Sequence, residues 1–168
     1  SLPVIFIIEN NGYGLSTPTN EQYRCASLVD KDMGYGIEGV QIEGNNILTV
    51  YDTIKGVRDY CIKNQKPYLI ECMTCRMRGH EEASGVKYVP PELFTEWEKK
   101  DPVKNFEAWL LDEEHITAEA VEKIKTDTKA YIETELAEAY KADKIVPNTK
   151  EEIEDVYAKK TTDNGQQV

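Results

Sequence analysis

LPVIFIIENNGYGLS, residues 2–16, carries the strongest fold signal in this chain. Its first seven residues are almost all apolar and rich in Ile and Val, which is typical of a strand covered on both faces. A polar turn from Glu9 to Gly14 follows directly, with two amides and two glycines. Open α/β sheets bind ligands beyond the carboxyl ends of their strands. The stretch therefore predicts a parallel strand over 2–8 and a candidate site in the turn that follows it.

The turn offers oxygen atoms that suit a hard cation. The amide oxygen of Asn11 and a main-chain carbonyl exposed by the Gly12 and Gly14 turn are ligands that Mg²⁺ accepts, and Mg²⁺ usually completes its shell with phosphates of a substrate or cofactor. An Asn-Gly pair after a strand is also an ordinary turn signal. On these residues alone, a metal site and a plain turn both stay open.

Composition limits the class of protein. The chain has 31 acidic and 20 basic residues, a net charge of −11, which argues against nucleic acid or an anionic membrane as a partner. No segment reaches the roughly 20 apolar residues that span a bilayer, and the early apolar run is too short for a signal peptide. We predict a cytoplasmic protein. A chain of 168 residues is expected to form one core and to bury about 70% of its unfolded surface.

The first half alternates strand and helix, which indicates a parallel α/β sheet. Strands are predicted over 2–8, 40–43 and 68–73, with a polar loop over 16–23 and a helix over 24–33. Asn45 and Asn46 precede a second helix, whose apolar positions recur at three- and four-residue spacing at Val50, Ile54, Val57 and Cys61. A domain that opens almost directly on a buried strand suggests the later part of a larger polypeptide.

The second half is predicted to be helical. Short helices are expected over 91–99 and 101–111, the latter capped by Asp101. A long helix follows to about residue 141, with an inner stripe at Val121, Ile124, Thr128, Tyr131, Leu136 and Ala139. Thr149 and Glu152 predict a capping box for a last helix ending near residue 157. The predicted domains are an α/β part over 1–90, a helical extension over 91–158, and a flexible tail or linker over 159–168.

The four cysteines are too few and too scattered to form a disulfide scaffold. Cys72 and Cys75 form a CxxC, but the sequence contains no second CxxC and only two histidines. A structural zinc site usually needs four ligands. Core cysteines in and after a strand are therefore the favoured interpretation, with a zinc site as the alternative.

Residues 74–91, TCRMRGHEEASGVKYVPP, have neither a helical nor a strand period. Long unpatterned loops are usually functional or disordered. An imidazole titrates near neutrality and can move protons, so His80 is a candidate catalytic residue. A solvated surface histidine is the alternative, and a solvated guanidinium is the alternative for Arg76.

Several linked motifs carry a resemblance to a known family. ENNGYGLST after the first strand resembles the closing half of the thiamine diphosphate motif, and the likeness continues through MGYGIEGVQIEGNN (33–46), PYLIECMTCRMRGHEEASG (67–85) and WEKKDPV (97–103). Together they resemble the alpha subunit of the decarboxylating component of 2-oxoacid dehydrogenase complexes. The resemblance implies the C-terminal part of a thiamine diphosphate-binding fold followed by a helical extension, with a Gly-Asp-Gly segment upstream that carries another metal ligand.

The resemblance also implies roles for particular residues. Asn11 and Tyr13 would bind Mg²⁺, and His80 would be the catalytic histidine at the thiazolium end of thiamine diphosphate. The implied cofactor-binding residues are Asn11, Tyr13, Gly14, Leu15, Arg76 and His80. The implied partners are a beta-like half or subunit, a lipoyl-bearing acyltransferase and a 2-oxoacid substrate, so the chain alone should be inactive.

The chain departs from the family pattern in the His80 loop. Glu81 and Glu82 stand where many relatives have a serine followed by aspartates, and Val89 stands where an arginine is common. Regulation by phosphorylating that serine would therefore be unavailable here. Two classes of function stay open: part of a thiamine diphosphate-dependent enzyme, and a non-catalytic α/β binding or assembly module.

Overall fold

The structure is a computed structural model that describes residues 1–81, 83 and 85–158. The described chain forms a first compact unit, Ser1–Ala118, and a second that begins at Glu119. The predicted domain boundary after residue 90 stays a prediction. Glu82 and the predicted tail or linker over 159–168 lie outside the described residues.

The first unit contains the strands and most of the helices. Its elements in chain order are β1 (Ile5–Asn10), β2 (Tyr13–Gly14), β3 (Thr17–Pro18), α1 (Thr19–Gln22), a 3₁₀ helix (Leu28–Lys31), α2 (Asp32–Tyr35), β4 (Glu38–Glu43), α3 (Ile47–Asn64), β5 (Tyr68–Met73), α4 (Pro91–Glu98) and α5 (Pro102–Asp112). The last two helices are α6 (Ala118–Ala139) and α7 (Thr149–Asp155).

Within the described residues, β1, β5 and β4 form a three-stranded parallel sheet in that order. β5 lies in the centre, with Ile5 of β1 and Glu38 of β4 both paired with Tyr68. Parallel strands need a crossover, and α3 supplies the one between β4 and β5. The predicted parallel α/β fold, with helices following it, is confirmed.

The core lies between α3 and one face of the sheet. Asn46 caps α3 by accepting hydrogen bonds from the next turn, as predicted. Val57 and Cys61 of α3 are buried against Ile70 and Cys72 of β5. The buried position of Cys72 confirms the interpretation of that residue as a core cysteine. All four cysteines are free thiols.

Four predictions in the first unit were wrong in detail. β4 begins at Glu38 rather than at residue 40, because its pairing with β5 starts at Tyr68. β1 runs from Ile5 to Asn10 rather than over 2–8, because its pairing with β5 extends the ladder to Asn10 and Met73. The predicted loop over 16–23 contains β3 and α1. The predicted helix over 24–33 is replaced by a short 3₁₀ helix and α2, since Ser27 starts a new capped turn within that segment.

The helices of the second half lie close to their predicted bounds, but the packing predicted for the longest of them was wrong. Asp101 caps α5 by accepting hydrogen bonds from Val103 N–H and Lys104 N–H, both at 2.9 Å. The cap of α7 is Asn148 rather than Thr149, since its side chain accepts from Glu151 N–H at 3.4 Å. The predicted inner stripe of α6 was wrong: its described residues include none that is buried, and its larger apolar side chains are exposed.

Candidate functional site

The carboxyl ends of β1, β4 and β5 lie along one edge of the sheet, because the strands are parallel and in register. The chain leaves this edge after Asn10, Glu43 and Met73. Two main-chain hydrogen bonds join the exits: Thr74 N–H donates to the Asn10 carbonyl at 3.0 Å, and Gly44 N–H donates to the Met73 carbonyl at 2.8 Å. The residues predicted to form the site lie in the segments that follow Asn10 and Met73.

The turn after β1 is built from two consecutive side-chain hydrogen bonds. The Asn10 side-chain oxygen accepts from Gly12 N–H at 3.0 Å, and the Asn11 side-chain oxygen accepts from Tyr13 N–H at 3.0 Å. Gly12 has a φ of +80°, a left-handed conformation that costs glycine little. The Gly12 carbonyl accepts from Thr19 N–H at 3.0 Å, which holds the β2–β3 hairpin against the turn.

Two oxygen atoms of this turn can still accept a cation. An amide oxygen has two lone pairs, and Tyr13 N–H engages the Asn11 oxygen only once. Tyr13 pairs with Pro18 in the hairpin, and proline has no N–H with which to occupy the Tyr13 carbonyl. The side-chain oxygen of Asn11 and the carbonyl oxygen of Tyr13, two residues apart in the chain, are therefore available as ligands for a metal ion.

Asn11 lines a hollow of about 500 Å³ at this edge. Its other polar groups include Glu9 and Arg76, and Cys72 and Cys75 also line it. Burial, followed by the Glu9 carboxylate, raises the pKa of the Cys72 thiol, and burial raises the pKa of the Cys75 thiol. Both thiols are therefore protonated near neutral pH, which makes them poor nucleophiles and poor metal ligands.

Arg76 connects this hollow with the His80 loop. Its Nη1 lies 3.3 Å from His80 Nδ1, and its Nη2 donates to the His80 carbonyl at 2.9 Å. A guanidinium can only donate, so the contact requires Nδ1 to accept and leaves the imidazole proton on Nε2. His80 is exposed and lines a second hollow of about 640 Å³, which shares Arg76 with the first.

The remaining predicted residues lie in the β2–β3 hairpin. The Tyr13 ring lies 6.0 Å from the Tyr88 ring, so the hairpin contacts the far end of the His80 loop. Gly14 and Leu15 are exposed, and Leu15 has a φ of +57°, which is strained for a residue with a Cβ. Of the predicted site residues, Asn11 and Arg76 line the first hollow, whereas His80 lines the second.

Glu71 is a residue that the sequence analysis missed. It lies in the middle of β5 and is fully buried, with an exposed fraction of 0%. Asn10 Nδ2 donates to its Oε1 at 2.7 Å, while Ser27 Oγ, Val29 N–H and Gln41 Nε2 donate to its Oε2. The available signal was a lone carboxylate inside the apolar run YLIECM, because a buried charge must be compensated.

The Glu71 carboxyl is held in its charged form. Burial alone raises its pKa, but hydrogen bonds from Ser27, Asn10 and the main chain of Val29 and Leu28 together outweigh burial and lower the pKa. Among residues 1–81, 83 and 85–158, Glu71 takes part in no ion pair, so neutral donors alone stabilise this charge.

In the part of the chain that the structure describes, no three His, Cys, Asp or Glu side chains group as metal ligands. No helix in that part is long and apolar enough to cross a membrane. The fold and the polar turns at the carboxyl ends of its strands define a class: a parallel α/β protein with a candidate ligand site at that edge of its sheet.

Comparison with known proteins gives the family. Residues 1–148 match the model of the dehydrogenase E1 component family. The chain is 38% identical over 136 residues to pyruvate dehydrogenase E1 component subunit alpha of Staphylococcus aureus, covering 77% of this chain and 37% of that protein. It is 33% identical over 160 residues to 2-oxoisovalerate dehydrogenase subunit alpha 2, mitochondrial, of Arabidopsis thaliana, covering 92% of this chain and 33% of that protein.

The chain belongs to the dehydrogenase E1 component family. It spans about a third of the length of these two curated relatives. The predicted resemblance to the alpha subunits of 2-oxoacid dehydrogenases is thereby confirmed. The roles of the individual site residues stay predictions.

Proposed function

We propose that this chain is the part of a thiamine diphosphate-dependent 2-oxoacid dehydrogenase that contributes Asn11, Tyr13, Arg76 and His80 to the cofactor site. In this proposal a 2-oxoacid loses carbon dioxide, and its acyl group passes to a lipoyl-bearing acyltransferase. A beta-like half or subunit completes the site. The observation that carries the proposal is the turn after β1, which places Asn11 in the lining of a hollow at the carboxyl edge of the sheet and leaves the Tyr13 carbonyl available two residues further along the chain.

The donor set fits Mg²⁺ held by a diphosphate. Asn11 and Tyr13 would supply one neutral oxygen each, and no cluster of acidic, histidine or cysteine ligands lies among the described residues. Mg²⁺ prefers oxygen ligands and is usually bound by few protein groups together with phosphates, so such a sparse set suits it. The bound cofactor would supply the electron sink that decarboxylation requires.

His80 would act at the thiazolium end of the cofactor, where the substrate reacts, and Arg76 would hold His80 in place. The two contacts from Arg76 fix the ring and the carbonyl of His80 and leave Nε2–H free to donate a hydrogen bond to an oxygen on which negative charge develops. A positioned hydrogen-bond donor that stabilises developing charge contributes about 100-fold or more to kcat. His80 would therefore affect turnover more than cofactor affinity. The cytoplasmic location stays a prediction.

Asn11→Ala in the full-length protein tests the metal site. We expect its affinity for thiamine diphosphate in the presence of Mg²⁺ to fall by at least about tenfold, because a metal ligand is lost. Isothermal titration calorimetry measures this affinity. Asn20→Ala, which changes an exposed asparagine of α1, is the matched control and should bind like the wild type. Equal affinity of Asn11→Ala and wild type would contradict the proposal.

His80→Ala tests the catalytic role. We expect an unchanged cofactor affinity and a kcat reduced by about 100-fold or more. His115→Ala is the control, since His115 lies against Trp109 at 5.0 Å between ring centroids, outside both hollows. Wild-type turnover in His80→Ala would exclude the role. A protein that binds no cofactor under any of these conditions would instead support the non-catalytic module.

A further inference from the structure

Glu71 joins two segments that are distant in sequence. Its Oε1 accepts from the Asn10 side chain at the end of β1, and its Oε2 accepts from Val29 N–H at 2.9 Å in the 3₁₀ helix. Ser27 and Gln41 donate to the same Oε2. A carboxylate has about four lone-pair sites and can serve all of these donors, which no neutral side chain of its size can do.

The charge on Glu71 decides how the Asn10 amide is oriented. Because a carboxylate can only accept, the Asn10 NH₂ group must face Glu71. The Asn10 oxygen is thereby directed to the opposite side, where it accepts from Gly12 N–H at 3.0 Å. That hydrogen bond bends the chain at Gly12, and Asn11 lies inside the bend.

We propose that Glu71 is a positioning residue for the candidate metal site, because its buried carboxylate orients Asn10 and Asn10 in turn fixes the turn that presents Asn11. The effect of Glu71 on cofactor binding rests on the proposed function. Its effect on the turn does not. Glu71 itself lies on the face of the sheet opposite the Asn11 hollow and does not line that hollow.

The substitution Glu71→Gln replaces one accepting oxygen of the carboxylate by a donating NH₂ group. Three donors converge on Oε2 and one side-chain donor reaches Oε1, so the new amide should keep its oxygen at the Oε2 position and turn its NH₂ toward Asn10. Two NH₂ groups then oppose each other. If the Asn10 amide turns over to accept from the new NH₂ group, its oxygen leaves Gly12 N–H and the turn loses its first hydrogen bond.

The test uses the full-length protein and two measurements. Hydrogen exchange followed by mass spectrometry on residues 9–15, without cofactor, reports on the turn, and calorimetry with thiamine diphosphate and Mg²⁺ reports on the site. Glu71→Gln should accelerate exchange in this segment by about tenfold and weaken binding by about tenfold, as loss of an outer-shell partner does. Gln41→Ala, which removes an exposed donor to Oε2, should leave both values at wild type.

A double variant separates this link from a general loss of stability. Combining Glu71→Gln with Asn10→Asp places a carboxylate opposite the new NH₂ group, and its second oxygen can again accept from Gly12 N–H. Exchange and affinity should return to within about threefold of wild type, since partners in one network couple strongly. A folded Glu71→Gln protein with wild-type exchange would overturn the proposal, and so would failure of the double variant to recover.

Two other experimental outcomes also bear on the proposal. If Glu71→Gln does not fold, Asn10→Ala keeps the donors on Oε2 and tests the step from Asn10 to the turn, on which the proposal depends, and unchanged exchange in residues 9–15 would overturn the proposal. If the wild-type protein binds no thiamine diphosphate, the proposed function fails, whereas the exchange comparison between Glu71→Gln and wild type still decides the positioning role.

Discussion

At the scale of single residues, the turn after β1 depends on a backbone conformation that its glycine supplies. Gly12 has a φ of +80°, and a Cβ built on it would meet no atom within 4 Å. The space around Gly12 is therefore open, and any cost of a side chain there is a cost of backbone conformation alone. Gly56 also has open space around its Cβ position, but it lies inside α3 with helical backbone.

These two glycines give opposite predictions for one substitution. Gly12→Ala should lower the free energy of unfolding by about 1 kcal/mol, because a side chain disfavours the left-handed region. Gly56→Ala should raise it by about 1 kcal/mol, because alanine is the better residue inside a helix. Urea denaturation of the full-length variants measures both changes. If both changes had the same sign, the left-handed strain assigned to position 12 would be wrong.

At the scale of elements, local signals predicted the helix caps and the central strand well. β5 was predicted at its observed bounds, and Asn46 and Asp101 cap α3 and α5 as their side-chain chemistry requires. Short polar side chains just before an apolar repeat specify a cap without help from the rest of the fold. Asn148 displaced Thr149 as the cap of α7, because either residue type can fill that position.

The elements that sequence did not predict depend on tertiary contacts. Glu9 and Asn10 belong to β1 because they pair with Cys72 and Met73 of β5, sixty-three residues along the chain. The 3₁₀ helix is held by Glu71, which accepts from Val29 N–H. For the same reason, the Asn10 and Asn11 turn was predicted from its residues, whereas the carboxylate that orients Asn10 was found only in the structure.

The contact between α3 and β4 predicts a pH dependence. Tyr60 donates a hydrogen bond to Glu38 at 2.5 Å. That bond, followed by burial and the Glu38 charge, raises the pKa of Tyr60 from 10.0 to about 12. Since folding favours the protonated phenol, its contribution to stability is complete below pH 10 and is lost as the pH rises from 10 to about 12.

Tyr60→Phe isolates this contribution. The difference in the free energy of unfolding between wild type and Tyr60→Phe should shrink from pH 9 to pH 12, because only the wild type loses the hydrogen bond on ionisation. Thermal denaturation across this range measures it, and comparison of the two proteins cancels the titration of other groups. A difference that stays constant with pH would show that the Tyr60 to Glu38 contact does not contribute.

At the scale of the whole molecule, the described residues bury a smaller core than the composition suggested. The buried apolar residues among them are Val57, Cys61, Leu69, Ile70 and Cys72. On β1, at one edge of the sheet, Phe6 is 52% and Ile7 53% exposed, although the apolar run predicted burial on both faces. The two curated relatives are about three times as long as the matched region, so those proteins have further sequence that can cover such a strand.

Phe6→Ser distinguishes an exposed strand from a covered one. In a polypeptide of residues 1–168 it should lower the free energy of unfolding by about 1 kcal/mol, because half of the side chain is already in water. In the full-length protein we expect a loss of about 3 kcal/mol or more, the cost of truncating a buried phenylalanine. Val57→Ala, in the buried core against β5, is the control and should cost about 2 kcal/mol in both proteins. Urea denaturation measures all four values, and an equal loss for Phe6→Ser in the two proteins would mean that no other segment covers β1.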